Sequence, residues 1–381
     1  MFKLLKGGQC YAPEKLGQKD ILIAYGKIGK IEDTIPMEGL WDVEVFDCSN
    51  QIICPGFIDQ HVHILGGGGE EGPGSRIPEI MLGEIISAGV TTVVGLLGAD
   101  GITRTVAGLL SKARALELEG VSTFIYTGSY GVPTTTLTGK VILDIALIDK
   151  IIGVGEIAIA DYRSSHPTVQ GLKELAYEAK VGGLLGGKAG VMHIHVGDGK
   201  EGLNALFELI QESNFPIEMF IPTHMNRKKE LLHQGIEYAR LGGFIDLTAG
   251  EKSSLGYSVP EAIKKLIASG VDMNKVTISS DGNGSIPATS GSNGEIGKVM
   301  TLFEDIKKCM IENNSEIELV LKLVTSNVAK ILKIYPQKGT LKVGSDADIN
   351  VLNQNMEIDK LFIGGDVFIK DKNIMRKGRF E

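Results

Sequence analysis

Eight short runs rich in apolar and β-branched residues recur along the middle of the chain, each followed by a longer stretch with helical periodicity. The runs are IICPGFIDQHVH (52 to 63), TTVVGLLG (91 to 98), STFIYTGSY (122 to 130), IIGVGEIAI (151 to 159), GVMHIHVGD (190 to 198), IEMFIPTH (217 to 224), GGFIDLTAG (242 to 250) and VTISSDG (276 to 282). TRTVAGLLSKARALELEG, TVQGLKELAYEAKVGGLL and PEAIKKLIASG are among the amphipathic segments between them. Near-continuous apolar runs alternating with helices are the pattern of parallel strands buried on both faces. Eight alternations predict an α/β fold, a (β/α)8 TIM barrel, for which ~250 residues is typical. A doubly wound open sheet is disfavoured because no G-x-G-x-x-G turn follows the first strand. The ends differ in texture: FKLLKGG, ILIAYGKIGKIE and VEVFDCSN at the start, GTLKVGSDADINVLN and MEIDKLFIGGDVFIKD at the finish, all short strands broken by turns. They predict a small β-sandwich domain built from both termini, with segments 1–55 and 335–381 flanking a barrel of residues 56–334.

Composition narrows the partners. The formal charge of −8 comes without long blocks of one sign, which argues against nucleic acid or an anionic membrane surface and for a small-molecule substrate. Cys10, Cys48, Cys54 and Cys309 are far apart with no C-x-x-C pair, as suits reduced thiols in a cytoplasmic protein. The opening MFKLLKGGQCYAPEK has no apolar core of an export signal. No apolar run reaches the ~18 residues of a membrane span.

Histidine carries the chemical information. Of the seven, His61 and His63 lie two apart on the first run, so both side chains leave one face of a strand. In a barrel that face is the interior near the carboxyl end. His195 closes the fifth run, His224 the sixth and Asp281 the eighth, while Glu156 lies within the fourth. One such histidine means little, but nitrogen and carboxylate donors at the same end of several strands point to a metal such as zinc. His166 and His233 read as surface residues, and His193 as a packed residue one layer below His195.

The run CPGFIDQHVH, the later histidines and aspartate, and KGTLKVGSDADINVL resemble the amidohydrolase superfamily of metal-dependent barrel hydrolases. HVHILGGGGEEGP, TGSYGVP, ADYRSSHPT, HVGDG, PTHMNR and SSDGNGS more narrowly resemble the isoaspartyl (β-aspartyl) dipeptidase family. The resemblance implies two zinc ions per subunit and no organic cofactor. His61 and His63 would hold the first metal, His195 and His224 the second, and Asp281 would bind the first and act as general base and acid. Where the family commonly has a carboxylated lysine, this sequence has Glu156, so the bridge would be the Glu156 carboxylate together with a hydroxide. Tyr130 would stabilise the oxyanion. Glu70, Gly68, Ala99, Arg163, Arg227 and Ser285 match the positions around the substrate, with two arginine forks for two carboxylates and Glu70 for an ammonium. Ala99 replaces a hydroxyl residue frequent in the family. The GGGGEEGPGS loop lacks the G-K-[ST] of a phosphate cradle; its glycines are expected to let backbone approach the substrate or hinge over it. Family members assemble into large homo-oligomers (octamers), so one is expected here.

The expected reaction is hydrolysis of the isopeptide bond of β-aspartyl dipeptides. The alternatives are another amidohydrolase activity, on cyclic amides or N-acyl amino acids, and a non-catalytic barrel acting as a scaffold, which would have no need to keep five ligands.

Overall fold

The computed structural model describes residues 2–39, 42–251, 255–286, 294–311 and 316–381. Its centre is a curled, TIM-barrel-like parallel sheet. Six strands, Phe57–Val62, Val90–Gly95, Ser122–Thr127, Ile151–Ile159, Val191–Val196 and Phe220–Thr223, pair in sequence order. A parallel pair, Ile245–Thr248 and Val276–Ser279, follows. Both edges of the six meet that pair: Met225 N donates to Asp246 O at 3.2 Å on one side, and His63 N donates to Gly282 O at 2.8 Å on the other. Seven of these strands are followed by helices that cover the outer face, including Val106–Glu119, Val169–Gly186 and Val259–Ala268. The ends of the long helices are set locally. Thr105 and Thr168 accept from the backbone N–H of Gly108 and Gly171, and left-handed Gly120 and Gly187 close the same two helices.

The first predicted run, 52 to 63, is two strands. Ile52–Pro55 joins the terminal sheet and Phe57–Val62 the barrel sheet. The break falls at Gly56, where a Cβ would come within 2.3 Å of the Thr91 side chain, so only glycine lets the chain pass from one sheet to the other here.

Among the described residues, the strands from both ends of the chain join in one continuous sheet of nine strands. The reason is Phe2–Tyr11, which changes neighbour midway: Phe2 to Lys6 pair with Val43–Asp47, while Gln9 and Cys10 pair with Ile52–Pro55. Ile52–Pro55 pairs in turn with Ile349–Leu352, joining the C-terminal hairpins to the N-terminal ones. Leu5, Ile21, Phe46, Ile53, Val351 and Phe362 form a core of their own there. All four cysteines are free and buried, and no helix among the described residues is long and apolar enough to cross a membrane.

Candidate metal centre

His61, Glu156 and His195 project from the first, fourth and fifth barrel strands, while His63, His224 and Asp281 stand one or two residues beyond the ends of the first, sixth and eighth. His224 and Asp281 have φ of 65° and 50°. Non-glycine residues in that region cost about 1–3 kcal/mol and collect at functional sites. The donor atoms fall into two groups around Glu156. On one side, Asp281 Oδ1 is 3.3 Å from His61 Nε2 and 3.1 Å from His63 Nε2, with Glu156 Oε2 at 3.5 Å and 3.8 Å from the same nitrogens. On the other, Glu156 Oε1 is 2.8 Å from His195 Nδ1 and 3.2 Å from His224 Nε2. The carboxylate therefore offers one oxygen to each group. Glu156 lies in an irregular stretch of its strand: between Val154 and Ile157 the fourth strand carries one residue more than the fifth does between Met192 and Ile194.

The electrostatics fit cation binding. Burial by itself would raise the Glu156 carboxyl, but His61 and His195 outweigh it and hold the group well below the usual carboxylate range. Asp281 is likewise held low by His61 and His63 against its burial. Burial, with Arg227 nearby, drives the His224 imidazole far down, so its Nε2 keeps a lone pair while Nδ1 lies 2.7 Å from Thr248 Oγ1. His61 Nε2, Glu156 Oε2 and Asp281 Oδ1 are buried without a hydrogen-bond partner. Three orphaned donors converging on one point are a high cost unless a cation is present. The groups His61–His63–Glu156, His61–His224–Asp281 and Glu156–His195–His224 each bring their donor atoms within 4.8 Å, and their nitrogen and oxygen chemistry suits zinc or a similar transition metal.

The loops around this centre bring most of the other predicted residues together. Tyr130 OH lies 3.0 Å from His195 Nδ1, and the Arg163 guanidinium sits 5.3 Å above the Tyr130 ring. Glu70 Oε1 accepts from Ser285 Oγ at 3.0 Å and from Arg163 Nη1 at 3.4 Å. Neither arginine fork is free: Arg163 is also held by Asp161, and Arg227 Nε is 3.7 Å from Glu251 Oε2. Ala99 lies within the loop after the second strand, beside Gly98, whose carbonyl accepts from Tyr130 N at 3.3 Å. The glycines of this loop also have a role in its own folding. A Cβ at Gly66 would meet Ile77 O at 2.0 Å and one at Gly68 would meet Ser75 O at 2.2 Å, so these glycines let the loop fold onto its own return segment. His166 is exposed in a loop, and His233 is 77% exposed on its helix, and neither belongs to the donor groups.

A model of the family described as "Amidohydrolase family" matches residues 52–368. This chain belongs to the amidohydrolase family. Within it, the chain is 42% identical to a beta-aspartyl dipeptidase from Fervidobacterium islandicum AW-1, solved in complex with beta-Asp-Leu dipeptide, with a TM-score of 0.92 over 98% of each chain. That is the resemblance read from the sequence. A dihydropyrimidinase from Brevibacillus agri NCHU1002 shares the fold at 16% identity and a TM-score of 0.69, over 99% of this chain and 97% of that one. A dihydroorotase of Listeria monocytogenes is 46% identical over 68 residues, 18% of this chain and only 15% of that protein's length.

Three residues of this amidohydrolase site escaped the sequence reading, and a fourth, His193, makes a contact that the reading did not foresee. Asp161 receives Arg163 and His195 together. Asp59 Oδ1 accepts from Ser280 N at 3.1 Å, tying the first strand to the eighth, and burial pushes its carboxyl up to about 6. His193 is packed, as expected, but its Nε2 also lies 2.9 Å from His61 Nδ1, directly behind a metal-facing imidazole. Arg104 is buried and donates to the carbonyls of Leu65, Gly67, Gly68 and Ile77. An acid two residues before an arginine is a weak local hint for Asp161 alone; the others depend on long-range folding.

Proposed function

We propose that this amidohydrolase hydrolyses the isopeptide bond of β-aspartyl dipeptides with two zinc ions. The single observation that carries the reading is the two-sided arrangement of Glu156 between the His61–His63–Asp281 and His195–His224 groups, in a chain so similar throughout to a beta-aspartyl dipeptidase. Metal held by these six residues would supply a water acidic enough to attack at neutral pH and a Lewis acid for the carbonyl. The rest falls to the chain. Asp281, with 18% of its side chain exposed, is reachable from the cleft and takes a proton from the attacking water, then passes it to the leaving amine. Tyr130 keeps its phenol protonated, since burial and the nearby Glu156 raise it well above its ordinary value, and so donates to the oxyanion as charge develops. Arg163 and Arg227 bind the two carboxylates of the dipeptide, exchanging part of their pairing with Glu70 and Glu251, and the freed Glu70, with Ser285, receives the α-ammonium. With alanine at position 99, amino-terminal recognition has one hydroxyl fewer.

The short dihydroorotase match supports a second reading, a cyclic amide as substrate. Such a ring lacks the pair of free carboxylates that two arginines suit. Turnover of β-Asp-Leu measured beside dihydroorotate, hydantoin and N-acetyl amino acids separates the two: the dipeptide alone is expected to be cleaved, and cleavage of a cyclic amide without the dipeptide contradicts the proposal.

A further inference from the structure

Asp161 stands two residues past the end of the fourth barrel strand, buried, with both carboxylate oxygens engaged. Oδ1 accepts from the backbone N–H of Arg163 at 2.8 Å and from its Nε at 3.0 Å. Oδ2 accepts from Arg163 Nη2 at 2.8 Å and lies 2.8 Å from His195 Nε2. The first set fixes the edge of the guanidinium, leaving Nη1 turned towards Glu70 at 3.4 Å. The second decides which nitrogen of His195 is free. With the Nε2 proton donated to Asp161, the Nδ1 lone pair faces Glu156 Oε1 and His224 Nε2, at 2.8 Å and 3.0 Å. A metal-binding imidazole is normally oriented by just such an acceptor behind it, but one shared with a substrate-facing arginine is a different arrangement. The imidazole and the guanidinium draw on one oxygen, so what strengthens one contact weakens the other.

We propose that Asp161 is a positioning residue that couples substrate recognition to metal binding, one carboxylate orienting both the ring of His195 and the fork of Arg163. The substrate half of this rests on the reading above; the metal half does not. When Arg163 turns to a substrate carboxylate, more of the Asp161 charge falls on His195, whose Nδ1 becomes the better donor. Linkage then requires the reverse as well: metal on His195 favours substrate on Arg163.

The test is zinc affinity of metal-stripped protein, measured by competition with a chromophoric chelator in the absence of substrate, alongside KM for β-Asp-Leu. Asp161→Asn is expected to weaken zinc binding by about 10–100-fold, as for outer partners of metal ligands generally, and to raise KM. Arg163→Met is expected to raise KM while zinc affinity stays at or above the wild-type value. A merely structural ion pair would make both variants bind zinc less well. Wild-type zinc affinity in Asp161→Asn overturns the proposal, and so does weakened zinc binding in Arg163→Met. Should Asp161→Asn fail to fold, Arg163→Met decides alone on the same outcomes. If the wild-type protein cleaves no β-aspartyl dipeptide, the functional reading falls while the zinc measurements still decide the role of Asp161.

Discussion

Glu156 is the residue on which the centre turns. A carboxylated lysine reaches further from its strand than glutamate does, yet Glu156, set in an irregular stretch of its strand, brings an oxygen within 3.5 Å of His61 and another within 2.8 Å of His195. Replacing it with glutamine keeps the shape and removes the charge shared by the two donor groups. Glu156→Gln is expected to lower zinc stoichiometry from two towards one per chain, read by elemental analysis after dialysis, with activity down by at least about tenfold. Tyr130→Phe separates chemistry from binding: its phenol is assigned to the developing oxyanion, so kcat should fall by about 10²–10³ with KM nearly unchanged. At this scale the sequence was informative where chemistry demands rare residues. The two histidines of one strand and the later His, Glu and Asp were legible because few other roles use them at strand ends. Asp161 and His193 were not, because their function lies in what they touch across strands, at 2.8 Å from His195 and 2.9 Å from His61.

Among elements, the loop from Leu65 to Pro78, which carries Glu70, shows how a segment beside the metal centre is held with little regular structure. Arg104 reaches into it from the loop after the second strand, donates to four of its carbonyls and is itself held by Asp100 at 3.0 Å. Hydrogen bonds from a charged donor contribute about 1.5–3 kcal/mol each in favourable cases, though not additively. Arg104→Met should therefore raise KM and speed amide hydrogen exchange of Gly67 and Gly69 by tenfold or more, about 1.4 kcal/mol of lost local stability, while the barrel strands keep their protection. An unchanged exchange pattern would remove Arg104 from this role. The strands themselves were readable as runs, yet their ends were not. The apolar pattern continued into Gly98, Tyr130 and His224, which lie beyond the strands, since buried loops at a catalytic face have the same composition as buried strand. Gly56 marks the opposite case, a single glycine that divides one run between two sheets.

In the whole molecule, the terminal strands meet in one sheet, and the segment leading into it is fixed by a buried charge cluster. Lys338 Nζ is 2.6 Å from Asp348 Oδ2 and 2.9 Å from Asp346 Oδ2. Removing one partner of a buried pair leaves an uncompensated charge, so Lys338→Met is expected to cost about 3–5 kcal/mol in denaturant unfolding. The pH dependence follows from Asp346, which Lys338 and Lys27 hold below its ordinary value against burial. A carboxyl lowered in the folded state contributes stability that is present above its unfolded pKa and lost as pH falls through the folded one. The gap between wild type and Lys338→Met should thus be full at neutral pH and shrink below about pH 4. That both ends of the chain build one unit was legible from their shared short-strand texture. That they form a single nine-stranded sheet was not, because pairing between Ile52–Pro55 and Ile349–Leu352 spans nearly the whole sequence. The most direct measurement is a zinc titration of metal-stripped protein with β-Asp-Leu hydrolysis recorded at each step. Two donor groups sharing one glutamate predict that activity climbs to a plateau at two zinc ions per chain; full activity at one ion, or without any, would contradict it.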